Sequence, residues 1–141
     1  MSSAEHTVLA AIAAVEQRDL DRLAGLYDPG VRFHWPPGLP YSGRYEGKEL
    51  ATMTQRFSSV WQPLQPTEEQ RRMEPSVVAT CGDTVVLQYV TRGVDAGGRT
   101  FETPVLARYR AREGRLLEAQ MFYWDLVGLR QFLETAGVAS D

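Results

Sequence analysis

Three extended runs decide the fold: Thr84-Val85-Val86-Leu87-Gln88-Tyr89-Val90-Thr91-Arg92-Gly93, Phe101-Glu102-Thr103-Pro104-Val105-Leu106-Ala107-Arg108-Tyr109-Arg110, and Arg115-Leu116-Leu117-Glu118-Ala119-Gln120-Met121-Phe122-Tyr123-Trp124. The segments between them, Asp95-Ala96-Gly97-Gly98 and Arg112-Glu113-Gly114, carry the glycine and aspartate that tight turns require. Alternation within each run sorts side chains to two faces. Val85, Leu87, Tyr89 and Thr91 share one face of the first, and Phe101, Thr103, Val105, Ala107 and Tyr109 share one face of the second. Glu102, Arg108 and Arg110 take the opposite face, toward water or another subunit. A further run near 73–80 precedes the turn Cys81-Gly82-Asp83, so strands near 73–80, 84–93, 100–111 and 115–124 form an antiparallel meander. Strands of this length in a small domain imply a sheet that curls so that one helical layer covers it.

N-terminal to the meander the period changes. Val8, Ile12 and Val15 recur at helical spacing behind Ser2 and Glu5, a capping-box pair, which predicts a helix over 4–17. Asp19 caps a second short helix carrying Leu20, Leu23 and Tyr27, stopped by Asp28-Pro29-Gly30. Val31–Trp35 reads as a short strand, followed by a proline-rich loop to about Gly47. Leu50, Met53, Phe57 and Val60 or Trp61 mark a third helix closed by Pro63. Helices segregated before and after an antiparallel sheet make an α+β architecture, with residues 1–141 as one domain.

The end of the last run holds an ambiguity. Continued alternation places Ala119, Met121, Tyr123 and Asp125 on the inward face, where desolvation raises a carboxylate pKa toward the range useful for a general base. Asp125 also immediately precedes the helical pattern Leu126, Leu129, Leu133, where aspartate is a preferred N-cap. Both readings stand on the residues alone.

Composition narrows the function. The chain has 141 residues, 43% hydrophobic and 23% charged, with a net charge of −3 and interspersed signs, so there is no basic face to track phosphates and no nucleic acid is expected. No apolar run approaches the roughly 20 residues that cross a bilayer, and Met1–His6 lacks the basic start of a signal peptide, so no membrane partner and a cytoplasmic location are expected. Cys81 is the sole cysteine, which leaves no internal disulfide, and His6 and His34 supply no metal-ligand cluster.

The order helix, helix, strand, loop, helix and four hairpin-linked strands resembles the cone-shaped fold of nuclear transport factor 2, and within it the SnoaL-like proteins. The residues that carry the resemblance are Gln17–Tyr27, Val31–Pro36, Leu39–Gly47, Arg112–Leu116 and Tyr123–Asp125. It implies a curved antiparallel sheet wrapped around the N-terminal helices, with an internal pocket for a hydrophobic small molecule, and it implies no cofactor. Function is less constrained, because the fold hosts isomerases, cyclases, hydrolases and non-catalytic proteins. Where ketosteroid isomerases carry a carboxylate base this chain has Trp35, and where limonene-epoxide hydrolases carry Arg-x-Asp it has Val90-Thr91-Arg92. The SnoaL polyketide cyclases are more similar, and Asp125 is the counterpart of their acid/base aspartate.

The resemblance and the strand faces together nominate Asp125 and Tyr123 as catalytic, the first as proton carrier and the second as an oxyanion donor. They nominate Trp35, Phe33, Tyr89, Tyr41, Phe57, Thr103, Val105 and Met121 as substrate-binding, with Tyr41 on a loop able to cover the pocket mouth. Ordinary core packing explains the same aromatics equally simply. The expected function is a cofactor-independent acid/base enzyme on a hydrophobic metabolite; the alternative is a non-catalytic binding or dimerisation domain. The resemblance also implies a homodimer paired through the convex sheet face, where the mixed set Leu106, Arg108, Gln88 and Val90 suits an interface.

Overall fold

A computed structural model describes residues 1–138 of the protein. The chain begins with α1 (Ser3–Glu16), whose start is fixed by the expected capping box: Glu5 N–H donates to Ser2 Oγ and Ser2 N–H to Glu5 Oε2, both at 3.1 Å. Asp19 caps α2 (Leu20–Gly25) by accepting from the Arg22 amide at 3.1 Å. Strand β1 (Tyr27–Trp35) follows, then β2 (Gly43–Glu46), a single 3₁₀ turn, α3 (Leu50–Leu64) and the short α4 (Glu68–Arg71). Four strands complete the sheet, β3 (Ser76–Cys81), β4 (Thr84–Val94), β5 (Thr100–Arg112) and β6 (Arg115–Tyr123), before α5 (Leu126–Thr135).

The six strands form one curved, unclosed sheet in the order β2-β1-β6-β5-β4-β3. Its long antiparallel ladders hold the meander in register, Tyr89 opposite Val105 and Val105 in turn opposite Tyr123. The turn joining β5 to β6 places Glu113 and Gly114 at φ 54° and 76°, and Gly82 turns β3 into β4 at φ 59°. A side chain tolerates that left-handed backbone poorly, which explains glycine there.

Four expectations need correction. The sheet is mixed rather than wholly antiparallel, because β1 runs parallel to β6 with Phe33 beside Ala119. Side-chain alternation is the same for either strand direction, so the pattern could not reveal it. Tyr27, Asp28, Pro29 and Gly30 belong to β1 and not to a helix and its stop; the register shifts between Tyr27 and Arg32, an irregularity that accommodates Pro29. The loop to Gly47 contains β2, a four-residue edge strand paired with Arg32–Trp35. Pro63, for its part, lies inside the last turn of α3 rather than beyond it.

Buried residues of β5 alternate with more exposed ones along most of the strand, β4 and β6 keep the same alternation over residues 85–89 and 119–123, and Val85, Leu87, Val105, Ala107 and Ala119 are fully buried. Val8, Ala11 and Ile12 of α1, together with Val60, Trp61 and Leu64 of α3, cover that concave face. The apolar area so removed from water supplies the main drive for curling the sheet over the helices. Among the described residues no helix is long and apolar enough to cross a membrane.

Candidate functional site

A cavity of about 90 Å³ opens between the concave sheet face and the helices. Phe33 and Trp35 reach it from β1, Tyr89 from β4, Tyr109 from β5, Met121 from β6, and Met53 and Phe57 from α3. Strand alternation aims the first five inward, and helical spacing of four aligns Met53 with Phe57. The rings are ordered against one another: Phe33 and Trp35 stack with centroids 6.4 Å apart, and Trp35 lies 5.4 Å from Phe57. Trp35 Nε1–H donates to Met53 Sδ at 3.2 Å, which fixes the indole plane as one wall.

A second, smaller cavity adjoins the first and shares Val15, Phe57, Met73 and Tyr89 with it. Behind the shared wall sits a buried polar knot. Tyr41 and Tyr123 hydroxyls are hydrogen-bonded at 2.8 Å, and Trp61 Nε1–H donates to Tyr41 Oη at 3.1 Å. Burial raises both phenols above their ordinary pKa, so they stay protonated. Burial likewise raises Tyr27, Tyr89 and Tyr109. Tyr89 and Tyr109 find no hydrogen-bond partner among the described residues and border the main cavity, where a hydroxyl held protonated is a ready donor to a ligand oxygen.

The nominated residues therefore divide. Phe33, Trp35, Phe57, Tyr89 and Met121 converge on the main cavity, and Tyr123 borders the smaller one. Tyr41 is fully buried and does not cover a mouth, because its ring packs edge-on against Trp35 and Phe57 at 5.0 Å while its hydroxyl joins the knot. Val105 is core. Thr103 is fully buried and structural in its contacts: Oγ1 accepts from the Asp125 amide at 3.0 Å and donates to the Pro104 carbonyl at 3.1 Å.

Asp125 does not look inward. The strand ends at Tyr123, the backbone turns at Trp124, and the Asp125 carboxylate is exposed, accepting the Gly128 amide at 2.8 Å as the N-cap of α5. Alternation fails here because it holds only while the chain remains extended. The main cavity is lined by neither carboxylate nor imidazole. His34 lies on the other sheet face, where Nε2 is 3.1 Å from Glu118 Oε2. Burial alone would raise the Glu118 pKa, but the His34 hydrogen bond and the Arg32 and Arg108 charges outweigh it and hold the carboxyl below its ordinary range.

Ile12, Val15, Leu20 and Leu23 also line the cavity, residues whose helical stripe reads simply as core in the sequence. Arg18 is the unexpected one. It sits between α1 and α2 at φ 57°, a position with no sequence signature for a cavity wall. Among the described residues no group of three or more His, Cys, Asp or Glu side chains is placed to hold a metal ion.

Residues 8–119 match the SnoaL-like domain. The chain belongs to this family. Several solved structures are similar in fold. Over 94% of this chain and 99% of the other, the protein is similar to TerC co-crystallised with polyporic acid, at 19% identity and a TM-score of 0.78. A nuclear transport factor 2-like protein of unknown function from Burkholderia pseudomallei K96243 shares 21% identity over 92% of this chain and 97% of that one, with a TM-score of 0.75. IdmH from Streptomyces antibioticus, described as a candidate polyketide cyclase, shares 20% identity over 92% and 97%, with a TM-score of 0.71. At these identities the likeness is one of fold. No curated protein matches the chain.

Proposed function

We propose that this SnoaL-like protein binds a hydrophobic, planar small molecule between the concave sheet and α1–α3. The observation that carries the reading is the wall of Phe33, Trp35, Phe57 and Met121, an apolar aromatic slot bordered by the protonated hydroxyls of Tyr89 and Tyr109. Such a slot gains free energy from burying a ring system, while the two hydroxyls select ligands that present an oxygen acceptor. A similar fold co-crystallised with polyporic acid supports an aromatic occupant. We further propose one domain, a cytoplasmic location and a homodimer paired through the outer sheet face, where Leu106, Phe122 and Trp124 stand exposed.

Catalysis is the second reading, favoured by the Tyr89 and Tyr109 hydroxyls and by the fold shared with a candidate cyclase. In that case the dry slot and the phenol donors would stabilise an enolate oxygen. Proton removal by Asp125 has no geometric support, because its carboxylate faces water and holds the Gly128 amide.

Isothermal titration calorimetry with 2-naphthamide, a neutral planar probe, tests the binding reading. A single saturable site is expected in the native protein, and none in Val15→Trp, whose indole would intrude from the wall that both cavities share. Absence of binding by the native protein, or undiminished binding by a folded Val15→Trp, overturns it.

A further inference from the structure

Two arginines without acidic partners stand at the adjoining cavities. Arg18 lines the larger and Arg71, on α4, lines the smaller, with Val15, Phe57, Met73 and Tyr89 common to both. Neither guanidinium takes part in any ion pair among the described residues. The nearby Glu16 carboxylate is engaged elsewhere, accepting the Met73 amide at 2.7 Å. Arg18 Nη2 donates to Gln65 Oε1 at 2.7 Å, a neutral acceptor, and Gln65 is itself held by donating to the Arg92 carbonyl at 2.9 Å. Arg71 Nε is buried with no protein hydrogen-bond partner.

This arrangement is costly in isolation. Burial of a guanidinium donor without an acceptor loses its hydration, and a second like charge nearby adds repulsion. Both effects register on Arg18, whose pKa lies below its ordinary value through desolvation first and the Arg71 charge second. Surface arginines of the same protein show the contrast: Arg92 contacts both Glu74 and Glu102, and Arg112 contacts Asp83. The cost at Arg18 and Arg71 would be relieved by an anion, since a carboxylate or similar acid accepts from a guanidinium fork with two parallel bonds.

Resting on the binding reading above, we propose that the ligand is an aromatic acid, its apolar body against Trp35 and Phe57 and its anionic group at Arg18 and Arg71. Arg18 lines the same cavity as the aromatic wall, and Arg71 lines the adjoining cavity across the shared Val15, Phe57, Met73 and Tyr89, so an acid seated against the wall meets Arg18 directly and the Arg71 charge beside it. The slot thus selects by charge as well as by shape. A neutral hydrocarbon would leave both arginines as they are, whereas an acid offsets their repulsion.

Calorimetric titration with 2-naphthoate and its neutral isostere 2-naphthamide separates the two claims. The native protein should bind naphthoate about tenfold more tightly, the size expected for hydrogen bonds to a charged group. Arg71→Gln and Arg18→Gln should each bring the two probes to within roughly twofold of one another. Raising ionic strength from about 0.02 to 0.5 M should weaken naphthoate alone, a readout that needs no variant should Arg18→Gln fail to fold. Equal binding of the two probes by the native protein overturns the acid selectivity and leaves the apolar slot standing. A preference for naphthoate that survives intact in folded Arg71→Gln overturns the assignment to these arginines. Binding of neither probe overturns the slot itself and this inference with it.

Discussion

Asp125 Oδ1 accepts the backbone N–H of Gly128 at 2.8 Å, and the space between the two residues is so tight that a Cβ on Gly128 would strike the carboxylate. The side chain is thereby committed to starting α5. Asparagine offers the same acceptor, so Asp125→Asn should cost well under about 1 kcal/mol, whereas Asp125→Ala, which removes the cap, should cost about 1 kcal/mol. Urea unfolding measures both. Naphthamide affinity should remain unchanged in each variant, and a large loss with stability preserved would restore a role for Asp125 at the site.

The Tyr41 hydroxyl serves two partners at once, Tyr123 at 2.8 Å and Trp61 at 3.1 Å, all inside the core. Tyr41→Phe orphans both. Its expected cost is about 1–3 kcal/mol, and Tyr123→Phe should cost less because the Trp61 bond survives. Chemical denaturation of the two variants ranks them; the reverse order would mean that the knot is organised around Tyr123.

Glu118 links pH to stability. Its folded pKa is depressed by His34, Arg32 and Arg108 against the opposing effect of burial. A carboxyl of depressed folded pKa contributes fully above its unfolded value, about 4.3 for glutamate, and the contribution fades as pH falls through the lower folded value. Glu118→Gln should therefore lower the unfolding free energy at pH 7, and the gap between variant and native protein should narrow on acidification below about pH 4. A gap that is constant or widens toward acid would contradict the charge network.

Much of the fold is legible in the sequence for a local reason. Turn glycines such as Gly82 and Gly114 adopt positive φ where hairpins reverse, and alternation of Val85, Leu87 and Tyr89 needs no distant information. The parallel pairing of β1 with β6 joins Phe33 to Ala119 and is invisible to any local pattern. β2 escapes notice because four residues beside a proline-rich loop carry too little periodicity. At the site, strand alternation finds Phe33, Trp35, Tyr89 and Met121, while Asp125 is misplaced by extending that alternation past the last strand residue, Tyr123. Arg18 comes from the α1–α2 connection and Arg71 from the end of the short α4, and only the tertiary arrangement brings them to adjoining cavities.

The outer sheet face should pair two copies of the chain. Trp124 is 83% exposed, Phe122 52% and Leu106 43%, a contiguous apolar surface of the kind that interface cores use. Light scattering should report twice the 15.8 kDa chain mass. Trp124→Asp, at a side chain already in water, should yield a folded monomer. A native monomer at tens of micromolar protein, roughly the range where weak dimers still assemble, would remove this surface as a self-interface.

Phe57 separates the two cavities and touches Trp35 at 5.4 Å and Tyr41 at 5.0 Å. Truncation to alanine should merge them into one chamber. The residue is only half-buried, so Phe57→Ala should cost about 2 kcal/mol, below the range for a fully buried phenylalanine. Its effect on binding should depend on ligand size. Two-ring 2-naphthamide loses a wall and should bind more weakly, whereas three-ring anthracene-2-carboxamide gains room and should bind better than it does to the native protein. Opposite changes for the two probes can arise only if Phe57 limits the occupied space; a parallel loss for both would show that the ring supports the helix and does not bound the ligand.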